Sequence, residues 1–112
     1  GCAVADGLDA LARYAAESRL VINATSLGMA GCAAFGDLSF LRAAPEDAMV
    51  YDLVYHPQRT ALLEAASGLG LRAVGGIDLL IRQAVRAFAL FTGEDPDTAA
   101  LYAALREPLG LE

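Results

Sequence analysis

The six residues Met49-Val50-Tyr51-Asp52-Leu53-Val54 constrain the fold more than any other stretch of the chain. Consecutive strand residues point to opposite faces, and here both faces carry apolar side chains. A parallel strand covered on two sides has that pattern. Leu20 to Ala24, with β-branched Val21 and Ile22, and Leu71 to Val74 read as two further strands. Around them the apolar period becomes helical. Leu8 to Ser18 predicts a helix with Leu8, Leu11, Ala12 and Ala15 on one face. Thr60 caps a helix from Ala61 to about Leu69, with Leu62, Leu63, Ala66 and Leu69 facing inward and Gly68 and Gly70 at its end. Ile77 to Thr92 is the longest helix, stopped by Gly93. A last helix runs from Thr98 to Arg106, capped by Asp97 or Thr98 and ended by Pro108. Thr25 to Gly36 is a loop with glycines at 28, 31 and 36, and Leu38 to Leu41 forms a short helical turn before Pro45. Strands alternating with helices predict an α/β fold with right-handed crossovers, half of a doubly wound domain.

The 112 residues suffice for a single domain, residues 1–112, and 56% are hydrophobic, many of them alanine. That excludes disorder and suits a helix-rich globule. The first residue is Gly and a helical pattern follows almost at once, so a cut or processed N-terminus is expected. Net charge is −6, with eight arginines scattered along the chain and no lysine. Without a basic stripe there is no case for nucleic-acid binding, and without lysine no lysine-based chemistry. Cys2 and Cys32 read as free thiols of a cytoplasmic protein. No CxxC pair or Cys/His cluster offers a metal site. There is no signal segment. The apolar stretch Ile77 to Phe91 is broken by Arg82, Gln83 and Arg86 and falls short of the ~20 apolar residues of a membrane span.

Ligands of an open parallel sheet bind at the carboxyl ends of its strands. Those ends are Asn23-Ala24-Thr25-Ser26, Leu53-Val54-Tyr55 and Gly75-Gly76. Small polar groups and glycines there let a flat ligand approach the backbone, although Thr-Ser turns and Gly pairs are also ordinary loop chemistry. In the long helix, Ile77, Leu80, Ile81, Ala84, Val85, Phe88 and Phe91 form the expected core stripe. Leu79 and Gln83 lie off it, one turn apart. They are either solvated or line a cleft, Leu79 against a ring and Gln83 bonded to hydroxyls. His56, the only histidine, lacks an evident orienting partner for general-base work. Asp52 sits in a buried strand and must be hydrogen-bonded, most simply to loop backbone. Arg82 and Arg86 read as a solvated helix face.

Three motifs carry a resemblance. Val-Ile-Asn-Ala-Thr-Ser-Leu-Gly-Met (Val21 to Met29), Tyr-Asp-Leu-Val-Tyr-His-Pro-Gln-Arg-Thr-Ala-Leu-Leu (Tyr51 to Leu63), and Gly-Gly-Ile-Asp-Leu-Leu-Ile-Arg-Gln-Ala (Gly75 to Ala84) with Ala-Phe-Ala-Leu-Phe-Thr-Gly (Ala87 to Gly93) stand in that order. Together they resemble the C-terminal portion of shikimate dehydrogenases, over Leu20 to Gly93. The resemblance implies a three-layer Rossmann-like half-domain with a short parallel sheet and C-terminal helices. It implies NADP as cofactor and the reduction of 3-dehydroshikimate to shikimate in aromatic amino-acid biosynthesis. Carried over by position, Asn23, Ala24, Thr25 and Ser26 lie near the cofactor's ribose and nicotinamide. Leu53 and Leu79 flank the nicotinamide where methionine is common, and the backbone of Gly76 approaches it. Tyr55 lies near the substrate, and Gln83 bonds its hydroxyls. Phe91 stands where Trp is common, His56 where Asn is usual, and Asp78 where Gly or an acidic residue occurs.

The family's catalytic Lys and Asp belong to an N-terminal substrate domain, so no catalytic residue is expected in this lysine-free chain. The Gly-rich turn for the pyrophosphate and the basic motif for the 2′-phosphate have no counterpart either. Two other readings stand beside this one: a non-catalytic binding or regulatory module on the same fold, and an NAD-using quinate/shikimate dehydrogenase. If strands normally flank Leu20 to Ala24, their loss exposes a sheet edge through which the chain would form homo-oligomers.

Overall fold

The computed structural model describes residue 7 and residues 10–110. Expectations that fall on Leu8 and Cys2 lie outside the described residues. The elements are α1 (Leu11–Ala16), β1 (Leu20–Asn23), a 3-10 turn (Ser39–Ala43), β2 (Met49–Asp52), α2 (Ala61–Gly68), β3 (Arg72–Val74), α3 (Gly76–Thr92) and α4 (Thr98–Arg106). The three strands form one parallel sheet in the order β1-β2-β3. Leu20 is level with Met49, Asn23 with Asp52, and Met49 with Arg72. The α/β class expected from the alternation is therefore present, and the fold is Rossmann-like.

Alternation along the strands gives the sheet one well-packed face. Val50 is buried at its centre, with Val21 and Ala73 beside it. Against them pack Ala15 of α1, Phe40 and Leu41 of the 3-10 turn, Leu62 and Ala66 of α2, and Leu71. Phe35 stacks on Phe40 at 6.1 Å between ring centroids. Each fully buried leucine, Leu41 and Leu62, contributes about 2 kcal/mol through loss of apolar surface to water.

The other face is covered more thinly. Ile81 of α3 is buried. Leu20 and Ile22, however, stay about half exposed. β1 is thus buried on one side only: Val21 and Asn23 face inward while Leu20 and Ile22 do not. β1 and β2 also end earlier than their apolar runs, at Asn23 and Asp52.

The helices follow their local signals. The Thr60 hydroxyl accepts from the Leu63 amide and caps α2. Asp97, rather than Thr98, caps α4 by accepting from the amides of Ala99 and Ala100. Gly93 ends α3 in the left-handed conformation, at φ 73°. Two expectations fail. Leu69 is exposed because it lies past the last turn of α2, at the C-cap. The apolar stripe of α3 is core only in its first half: Ile81 is buried and Ile77, Leu80 and Val85 are half-buried, whereas Ala84, Phe88 and Phe91 are exposed. α3 spans 17 residues and the strands only three or four, so the helix outruns the sheet.

Candidate functional site

The carboxyl ends of β1 and β2 are joined by a buried polar network. Asp52 has no exposed surface, and Asn23 is 4% exposed. One Asp52 oxygen, Oδ1, accepts from Asn23 Nδ2 and from the Val54 amide, both at 3.0 Å. The other accepts from the Thr60 hydroxyl at 2.6 Å. A buried carboxylate with three donors is compensated for the water it has lost. The bond to Val54 is the loop-backbone role expected of Asp52.

Asn23 is equally committed. Its amide nitrogen also donates to the Leu27 carbonyl at 3.0 Å, and its oxygen accepts from the Thr25 amide and hydroxyl at 3.1 and 2.6 Å. An Asn side chain has two donors and two lone pairs, so all four positions are filled within the protein. The Thr25 hydroxyl in turn accepts from the Leu27 amide. Asn23 thereby shapes the turn that presents Ala24, Thr25 and Ser26, which are exposed. The Ala30 amide donates to the His56 carbonyl at 2.9 Å and ties this loop to the one after β2. The exposed His56 thus joins the site through its backbone.

Gly76 brings α3 to the same place. A Cβ there would lie 2.3 Å from the Leu53 carbonyl oxygen and 2.8 Å from that of Val54. Only glycine lets the first turn of α3 rest on the end of β2. Sequence reasoning asked for a glycine because a ligand approaches its backbone; packing against Leu53 already demands one. Leu79 lies one turn along α3 and Gln83 a further turn, on the face that begins with Gly76. Leu53, Tyr55 and Leu79 are 36%, 49% and 39% exposed, and Gln83 is exposed. The strand-end loops and this face of α3 thus meet at one edge, with two apolar side chains open to solvent beside the Gly76 backbone. Such a surface can pack against a flat ring.

Arg82 is not simply solvated. Its Nε donates to Asp78 Oδ2 at 2.9 Å, and the Tyr102 hydroxyl of α4 donates to Asp78 Oδ1. The Tyr102 hydrogen bond and the Arg82 guanidinium hold the Asp78 carboxyl below its usual range, against a smaller opposing effect of burial. Burial, and then the bond to Asp78, push the Tyr102 phenol above its usual value. Arg86 lines a cleft of about 200 Å³ between α3 and α4, with Val85, Asp95 and Thr98. Tyr102, the bonds that Asp78 makes and the Thr60 bond to Asp52 were not read from sequence, where Asp78 stood only as a position compared with the family pattern. For Thr60 a signal existed, since a buried Asp needs donors and a capping hydroxyl stands eight residues on. Asp78 and Tyr102 gave none, because the pair forms only once two helices have met.

Comparison with known proteins bears on this edge. Residues 76–106, from the start of α3 to the end of α4, match the family model "Shikimate 5'-dehydrogenase C-terminal domain". The chain is 57% identical over 79 residues to a shikimate dehydrogenase (NADP(+)) of Sphingopyxis alaskensis, covering 70% of this chain and 28% of that protein. It superposes on quinate dehydrogenase of Corynebacterium glutamicum in complex with NAD with a TM-score of 0.74 at 36% identity, covering 88% of this chain and 34% of that one. It also superposes on the shikimate 5-dehydrogenase of Thermus thermophilus in complex with NADP(H) and shikimate, with a TM-score of 0.71 at 35% identity, covering 87% and 36%. The chain spans only about a third of the length of the proteins it matches.

Proposed function

Since the chain belongs to the shikimate dehydrogenase family and corresponds to its C-terminal portion, we propose that it forms the nicotinamide side of an NADP site and one edge of a substrate site. The reaction served is the reduction of 3-dehydroshikimate to shikimate, in the cytoplasm. Among the described residues no helix is long and apolar enough to cross a membrane. One observation carries the reading: Gly76 seats α3 on the end of β2, leaving Leu53 and Leu79 exposed beside the same stretch of backbone.

Bound NADPH would supply the hydride. This chain's residues would orient and shield. Leu53 and Leu79 would exclude water from the ring, whose edge would run along the Gly76 backbone. The turn built by Asn23 would set Ala24, Thr25 and Ser26 beside the adjoining ribose. The Gln83 amide would bond substrate hydroxyls, with Tyr55 close by. With no lysine in the chain, the Lys and Asp pair that would pass a proton to the substrate's carbonyl oxygen would come from an N-terminal substrate domain. The NAD-bound quinate dehydrogenase among the structural neighbours supports a second reading, in which the cofactor is NAD and quinate is also a substrate.

NMR titration of the chain with NADP+ and then shikimate tests the assignment. The expected response is movement of the Leu53 and Leu79 methyls with NADP+, and of the Gln83 side-chain amide with shikimate. Binding will be weak, because most ligand contacts are absent. Response confined to other residues would overturn the assignment. Micromolar shikimate binding would favour a self-sufficient binding or regulatory module instead.

A further inference from the structure

α4 is held in place without a core. None of its residues is buried. Two polar clasps attach it instead. In the first, the Tyr102 hydroxyl donates to the Asp78 carboxylate, which is also held by Arg82. In the second, just past the helix, Gln58 Nε2 donates to the carbonyls of Leu109 at 3.0 Å and Gly110 at 2.7 Å. Both land next to the ligand edge. Asp78 directly precedes Leu79 in the first turn of α3, where the helix dipole also favours its charge. Gln58 lies in the loop after Tyr55, and its carbonyl oxygen is 3.7 Å from where a Cβ on Gly75 would be.

α3 packs through Gly76 and Ile81, whereas Leu79 and Gln83 stay exposed, so burial alone does not fix those two side chains. We propose that Asp78 and Tyr102 are positioning residues, a latch that holds α4 across the first turn of α3 and so fixes the pose of Leu79 and Gln83. The proposal rests on the ligand-facing reading of those two residues. Tyr102 and Asp78 would not touch ligand; they would act through α3.

The test uses Tyr102→Phe and Asp78→Asn in the 112-residue chain. Amide hydrogen exchange in α4 should become about tenfold faster in each variant, as loss of a hydrogen bond to a charged group implies, with β2 unchanged. The Tyr102 phenol should titrate lower in Asp78→Asn than in the unsubstituted chain. Most tellingly, the response of the Leu79 methyls to NADP+ should fall in both variants while that of Leu53, on β2, persists. Unchanged exchange in α4, or an equal fall at Leu53 and Leu79, would overturn the latch. Should NADP+ move neither methyl in the unsubstituted chain, the ligand reading falls, and exchange together with the tyrosine titration still decides the latch.

Discussion

Asp52, itself fully buried, is the residue that holds the carboxyl ends of β1 and β2 together. It ties β1, through Asn23, to the loop and helix that follow β2, through Val54 and Thr60. Asp52→Ala would leave three donors unpaired, all of them in buried groups. It should cost about 3–5 kcal/mol, read as a lower urea midpoint. Asp52→Asn, which keeps the shape and part of the bonding, should cost clearly less. Gly76→Ala probes close approach rather than polarity. Its methyl would overlap backbone atoms of Leu53 and Val54, which cannot swing aside as a side chain can. A loss of about 3 kcal/mol is expected, at the upper end for overpacking, again by urea unfolding. A stability near that of the unsubstituted chain would show that α3 does not rest on β2 as described. The need of Asp52 for donors was legible in the sequence, because burial of a carboxylate imposes it. That Asn23 would be one of them was not, since the two residues are 29 apart and meet only through strand register.

At the scale of elements, local signals were read well and long-range ones poorly. Thr60, Asp97 and Gly93 mark helix ends through bonds and backbone angles within a few residues, and they act where the sequence puts them. The stripe on α3 misled because periodicity reveals an apolar face without revealing what covers it. Strand ends shifted inward because Leu53 and Val54 remain apolar after pairing with β1 has stopped. The attachment of α4 was invisible because its partner residues lie on a different helix. That attachment has a pH signature. The Asp78 carboxyl is held below its unfolded value, so its contribution is present above the ordinary carboxylate range and is lost as pH falls through its depressed folded pKa. The Tyr102 phenol is raised, so its contribution is present below the ordinary tyrosine range, about pH 10, and is lost as pH rises through its elevated folded pKa. Protection of α4 amides, corrected for intrinsic exchange, should therefore be level across neutral pH and fall at both extremes. A monotonic change across neutral pH would point to other groups.

The whole molecule brings together loops from two strands and one face of a helix, and leaves other surfaces bare. β1 pairs with β2 alone among the described residues, and Leu20 and Ile22 are about half exposed beside its outer edge. An open strand edge with apolar neighbours recruits further strands. We therefore expect the isolated chain to self-associate in sedimentation at high concentration, and a clean monomer there would argue against it. The α/β class was legible from the alternation of strands and helices, and the strand-end rule picked out Asn23 and Gly76, whose backbone and side-chain contacts shape the ends of β1 and β2. The sequence also lacks lysine throughout. The central claim is that this chain helps hold nicotinamide and substrate while the proton-transfer groups lie elsewhere. Its most direct test is to incubate the folded 112-residue chain with shikimate and NADP+ and follow NADPH formation. No formation above background is predicted, and turnover comparable to that of an intact shikimate dehydrogenase would contradict the account.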